Sequence, residues 1–245
     1  MQILRSTYFM IRRMLRGYFF FVILLIIPIV LITVIGLVAG EELDPLLGIP
    51  MVYSVSIVLI FAFQLFGGYY TMEYINTDFF SSRKWRILAL PYHIFHHAFA
   101  ILLSSILFSV LQGLLLVFYT QWVYNVQWGN IALVILVLFA LSTLSQLVFL
   151  NIRLGVKNSK TVEHLGTVYG LLSLALAGVW FSMPEEGFLG FLSTYGNPLS
   201  LGENAIYAFM GYGDMSRAVI SLSIIFGSSI LLIVLALFLG RRKLA

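Results

Sequence analysis

Six long apolar stretches alternate with short polar gaps along this chain, at residues 17–39, 51–72, 94–120, 130–150, 165–183 and 217–240. Each is about 20 residues, the length an α-helix needs to cross the hydrocarbon core of a bilayer. The pattern predicts an all-α polytopic membrane protein with six transmembrane helices, because helices satisfy their own backbone groups where water is absent. No gap is long enough for a soluble domain, so 1–245 reads as a single transmembrane domain. Pro28 falls inside the first stretch, where a kink is expected and neighbouring helices can take up the freed carbonyl.

The polar gaps carry a second pattern. Arg5, Arg12, Arg13 and Arg16 precede the first stretch, Arg83, Lys84 and Arg86 follow the second, Arg153, Lys157 and Lys160 follow the fourth, and Arg241, Arg242 and Lys243 follow the sixth. The intervening gaps hold only Arg217 and instead collect Glu41, Glu42, Asp44, Glu185, Glu186, Glu203 and Asp214. Short cytoplasmic loops retain Lys and Arg, so both termini are expected in the cytoplasm of a cell with this chain in its plasma membrane. The net charge of +4 is then a collar at anionic headgroups and requires no nucleic acid. The apolar run at the start is too long for a cleavable signal peptide.

Residues 1–16 are predicted to form an amphipathic helix. Leu4, Tyr8, Ile11 and Leu15 share a stripe at helical spacing, the arginines take the opposite arc, and Phe9 interrupts it. Such a helix lies in the membrane interface, either as a topology anchor or as a contact for a cytoplasmic partner. Within the spans, Gln64, Gly68 and Thr71 share one face, as do Ser105, Ser109 and Gln112, and a small-residue stripe runs Gly166, Gly170, Ser173 and Ala177. These stripes are either close helix packing or the lining of a polar route, with Gln64, Thr71, Gln112 and Ser173 as the pathway candidates. No Asp, Glu, Lys or Arg falls in mid-span, which argues against an ion-driven carrier and puts the energy source elsewhere.

Two gaps are unusual. The segment 73–92 mixes Phe79, Phe80 and Trp85 with Arg83, Lys84 and Arg86, residue types that dominate protein contacts. It predicts a short helix over 79–90, capped by Asp78 or a nearby Ser and ended by Pro91. That helix either docks on a partner or anchors in headgroups through Trp85. The segment 184–216 is too apolar for a solvated loop and is broken by Gly187, Gly190, Gly196, Pro198 and Gly202. Short helices re-entering the outer leaflet are expected there, with Phe188, Phe191, Leu192 and Leu199 as an outer gate.

Catalytic chemistry is sparse. The chain has no Cys, no phosphate-binding G-x-x-x-x-G-K-[ST], no G-x-S-x-G and no H-E-x-x-H. His93, His96, His97 and His164 lack a matching carboxylate, and a zinc site wants three protein ligands with an orienting shell, so no metal is assigned. Glu185 and Glu186 have no histidine on their side of the membrane for general acid–base work. No catalytic residue is assigned, and the chain reads as a non-enzyme.

Over its whole length the chain resembles the membrane subunits of ABC exporters of the type-2 permease family. The likeness is carried by the basic amphipathic start, six spans with both ends inside, the segment from Glu73 to Leu88-Ala89-Leu90-Pro91, and the broken outer segment before the last span. The Gly-Thr that frequently follows the Glu in that family is absent here. The resemblance implies a cytoplasmic coupling helix presenting Phe79, Phe80, Arg83, Trp85, Arg86 and Leu88 to a separate ATPase. It also implies two ATPase copies carrying ATP and Mg, no cofactor on this chain, and a second, identical permease subunit. The cargo it implies is an amphipathic or apolar peptide, drug or lipid; the Gram-positive exporters of cytolytic, phenol-soluble-modulin peptides are similar. A non-transporting membrane scaffold or an intramembrane enzyme is the alternative.

Overall fold

The computed structural model describes every residue except 1, 40–41, 45–47, 90–93, 182, 185 and 244–245, and no side chain at 2–3 or 18–20. Glu41, Leu90, Pro91, His93 and Glu185 therefore lie outside the described residues. The described residues fold into helices α1 (Gln2–Arg16), α2 (Tyr18–Ala39), α3 (Met51–Phe66), α4 (Tyr69–Phe79), α5 (Lys84–Leu88), α6 (Ile94–Tyr124), α7 (Ile131–Gly155), α8 (Ser159–Leu176), α9 (Gly187–Tyr195), α10 (Pro198–Phe209) and α11 (Met215–Lys243). Among them the only β pairing is the bridge between Leu43 and Pro50.

Among the described residues, five helical segments are long and apolar enough to cross a membrane: 21–39, 51–79, 94–124, 131–155 and 215–243. The fifth predicted stretch, 165–183, is helical only to Leu176, as the C-terminal part of α8. The 18 residues of α8 span about 27 Å and open on Ser-Lys-Thr-Val-Glu-His, polar residues that dilute its apolar character. The second predicted stretch, by contrast, runs on past Met72 to Phe79.

Four helices start at a polar side chain that caps them. The side chains of Asn130, Asn158 and Asn197 accept from the backbone amides of Ala132, Lys160 and Leu199 at the starts of α7, α8 and α10. Asp214 does the same for Ser216 at the start of α11. Pro198 sits in the first turn of α10, where its missing amide costs nothing.

Helices α3, α6 and α7 form the centre, and their facing side chains include Ile57, Ile60, Phe61, Leu116, Val137, Leu138 and Leu141. Two thirds (67%) of the apolar window of α7 is buried, against 17% for α2 and 11% for α11. The outward residues of α2 and α11, such as Val34, Leu37, Leu231 and Val234, form exposed apolar faces compatible with a lipid environment.

The break between α3 and α4 is shaped by neighbouring helices. Gly67 and Gly68 admit neighbours where a Cβ would lie 2.5 Å from Ser109 Oγ and 2.1 Å from Phe149 Cδ2 respectively. Here the amide of Thr71 donates to Gln146 Oε1 (3.3 Å) and Gln146 Nε2 donates to the Gly67 carbonyl (2.8 Å). One side chain of α7 thus takes the place of a helical i→i−4 bond, an insertion of the kind that bends helices. Ser145 Oγ donates to the Leu65 carbonyl beside it.

The stripe Gly166, Gly170 and Ser173 is the buried face of α8. A Cβ at Gly166 or Gly170 would approach Phe149 or Phe66 to 2.4 Å, so these glycines serve close packing.

Candidate functional site

One end of the bundle gathers the basic gaps: α1, the end of α4, the start of α6, the α7–α8 junction and the end of α11. Helix α1 docks there by a face the hydrophobic stripe does not include. Thr7, Met10 and Met14 are buried, and Ser104 Oγ of α6 donates to the Thr7 carbonyl at 3.2 Å. Leu4, Tyr8 and Leu15 point outward beside the arginines. The helix therefore has three faces: one on protein, one apolar and open, one basic.

Asp78 lies at the centre of this end. It is 1% exposed, and Arg13 Nη1 donates to both its oxygens, at 2.9 and 2.7 Å. His97 Nε2 on α6 sits 2.9 Å from Oδ2. The sequence reading made Asp78 a cap for a following helix; instead it ties α1, α4 and α6 together. The Arg13 guanidinium also lies over the Tyr74 ring at 4.9 Å, and the His97 ring meets Phe79 edge-on. Among the described residues, no group of three or more His, Cys, Asp or Glu could hold a metal ion.

A second clamp fixes the chain just beyond. Arg153, 2% exposed at the end of α7, places its guanidinium 3.6 Å from the centre of the Phe80 ring. Its Nε donates to Asn76 Oδ1 at 3.0 Å and its Nη1 to the Val156 carbonyl at 2.9 Å. Ser159 Oγ reaches the same Asn76 oxygen at 3.2 Å. A buried guanidinium is tolerable where, as here, Nε and Nη1 are hydrogen-bonded and an aromatic face lies against it.

These clamps set out the segment expected to form one helix over 79–90. That expectation is corrected: Phe79 closes α4, a turn follows, and only Lys84–Leu88 is helical. Ser81 makes the turn by accepting from the Arg83 amide at 3.2 Å. Buried Phe79 and clamped Phe80 are therefore foundations. Trp85, Arg86 and Leu88 are exposed, Trp85 by 74%, as is Arg83.

The pathway candidates are not brought together on one lining. Gln64 Nε2 donates to the Ser109 carbonyl and to Ser142 Oγ, linking α3, α6 and α7. Gln112 Nε2 donates to the Leu24 carbonyl at 3.0 Å, and Tyr70 donates to its Oε1 at 3.4 Å. Thr71 is wholly buried beside Gln146. Ser173 bonds back to the Tyr169 carbonyl, while its own carbonyl accepts from Asn197. Sequence reasoning missed Gln146, Asp78, Arg153 and Asn197 as organising residues; a polar side chain inside a long apolar run was the signal for Gln146.

At the opposite, acidic end the two short helices expected between 187 and 212 are α9 and α10. Helix α10 packs against α11, α7 and α3. Of the gate candidates, Leu199 is fully buried and Leu192 half-buried, whereas Phe188 and Phe191 are 75% and 61% exposed. Both rings lie on the outer side of short α9, Phe191 in tilted contact with Tyr195 at 5.8 Å.

The described residues thus define an all-helical protein with five helical segments long and apolar enough to cross a membrane. No family model, curated protein or solved structure matches the chain.

Proposed function

We propose that this chain is the permease subunit of an ATP-driven ABC exporter, energised by a separate ATPase that docks at the basic end. The observation supporting this reading is the fixed, outward Trp85–Arg86–Leu88 surface, carried on a turn that Asp78 and Arg153 hold to the bundle. A loop that only joined two spans would need neither clamp nor exposed indole. The clamps offer a stiff path from that surface to α1, α4, α6 and α7, so a push on Trp85 is delivered to the spans.

In this reading the chain crosses the plasma membrane six times, with α8 as the fifth crossing, both termini are cytoplasmic, and α9–α10 re-enter the outer leaflet. A second identical permease and two ATPase copies complete the assembly, and the cargo is amphipathic or apolar. Affinity purification of the tagged chain from its own cells tests the reading. A P-loop ATPase should co-purify, and Trp85→Ala should release it. Purification without any nucleotide-hydrolysing partner, in native lipid, would leave the scaffold reading instead.

A further inference from the structure

An opening of about 630 Å³ lies between α1, α4 and α8 at the basic end. That volume is in the range of sites for drug-sized ligands. Tyr69, Tyr70 and Tyr74 of α4 line it, together with Glu73, Glu163 of α8 and Arg13 of α1. The rings are held in place: Tyr69 packs tilted on Phe149 at 4.7 Å, with its hydroxyl 2.9 Å from the Glu163 carbonyl. Tyr70 packs edge-on to Phe108.

The charge balance of this cavity opposes that of its surroundings. Arg13 is already neutralised by Asp78. Glu73 accepts only from Thr77 Oγ1, at 3.2 Å, and among the described residues neither Glu73 nor Glu163 joins an ion pair. Two carboxylates and the rings of Tyr69 and Tyr70 thus line one space within an end otherwise rich in Lys and Arg, with the Tyr74 ring already covered on one face by Arg13. His164 adds an imidazole and Met72 a thioether to the walls. Carboxylates attract a positive head by Coulomb force, and tyrosine faces add cation–π attraction over an apolar body. An anion would meet repulsion from both glutamates.

We propose that this cavity binds an amphipathic organic cation, one positive head on an apolar body. As a cargo site this rests on the exporter reading; as a binding site it is tested without it. The purified chain in nanodiscs is titrated with rhodamine 6G, a lipophilic cation, and separately with fluorescein, an anion of similar size, and binding is followed by fluorescence anisotropy. Saturable cation binding is expected, with fluorescein at least about tenfold weaker, the ratio one lost ion pair of ~1.4 kcal/mol gives. Glu73→Gln with Glu163→Gln should weaken rhodamine binding by about tenfold or more at an unchanged melting temperature, since both side chains are exposed. Glu73→Asp with Glu163→Asp should keep most of it. Equal binding of cation and anion, or a Gln pair as tight as the parent, overturns the proposal. In the complex with its ATPase, rhodamine 6G should also stimulate ATP hydrolysis, and not in the Gln pair. If the cation binds saturably and no ATPase responds or co-purifies, the cavity stands and the exporter reading fails. If a coupled ATPase is found and the cation does not bind, the exporter reading stands and the cavity assignment fails.

Discussion

Arg13 and Asp78, 65 positions apart in the chain, meet through a single guanidinium nitrogen that donates to both carboxylate oxygens. The bond fixes α1 to the end of α4. Breaking a buried pair from one side costs about 3–5 kcal/mol, and the 33% exposure of the Arg13 side chain puts the loss at the low end. Asp78→Ala should lower the melting temperature and make α1 sensitive to protease. Because one nitrogen makes both bonds, Arg13→Lys should be tolerated while Arg13→Gln is not. Equal melting temperatures for the Lys and Gln variants would contradict this geometry.

Gln146 should be intolerant of apolar replacement. Gln146→Leu leaves the Thr71 amide buried without its partner, at about 1–3 kcal/mol, while the Gly67 carbonyl keeps the Tyr70 amide at 3.0 Å. Gln146→Glu keeps the acceptor but turns the donor nitrogen into a carboxyl oxygen facing the Gly67 carbonyl, so it is tolerated as the neutral acid and its loss of thermal stability should grow as pH rises. A Leu variant as stable as the parent would show that the break closes into a continuous helix.

Trp85→Ala should leave the fold intact, since the indole is exposed, and weaken a partner ATPase by about 2 kcal/mol, roughly 30-fold in affinity. Phe80→Ala should act differently, lowering stability by uncovering the Arg153 guanidinium. Measured melting temperatures and ATPase titrations separate the two effects. An unchanged ATPase affinity in Trp85→Ala would remove this surface from the interface.

Orientation is open to labelling in intact cells. Glu42→Cys and Glu186→Cys, both at exposed positions of the acidic end, should react with an impermeant thiol reagent, and Lys157→Cys at the basic end should not. The chain has no native cysteine to interfere. The reverse labelling pattern would invert the topology.

In the outer segment, burial separates the gate candidates. Leu199→Ala should cost about 2–5 kcal/mol, because the side chain is wholly enclosed. Phe188→Ala with Phe191→Ala should stay within about 0.5 kcal/mol for each exposed ring in a single chain. A large loss for the phenylalanine pair in native membranes, absent from the isolated subunit, would mean that a neighbouring chain covers them.

The sequence by itself determined the helical class, most of the helices long and apolar enough to cross a membrane and the two short helices from residue 187 on, because length, hydropathy and Gly or Pro breaks are local properties. It also marked the small-residue stripe of α8, since Gly166 and Gly170 recur at helical spacing. Only the tertiary structure decided which side of α1 meets protein, since Met10 and Met14 look no more buried in sequence than Leu4 or Leu15. The same holds for Asp78, whose partners come from α1 and α6, and for the break at Gly67–Gly68, which exists because Gln146 of another helix supplies the missing bonds. Hydropathy records how much a residue avoids water. It does not record which distant group will satisfy a buried charge or amide, and in the low-dielectric interior of this bundle that pairing sets where each helix sits.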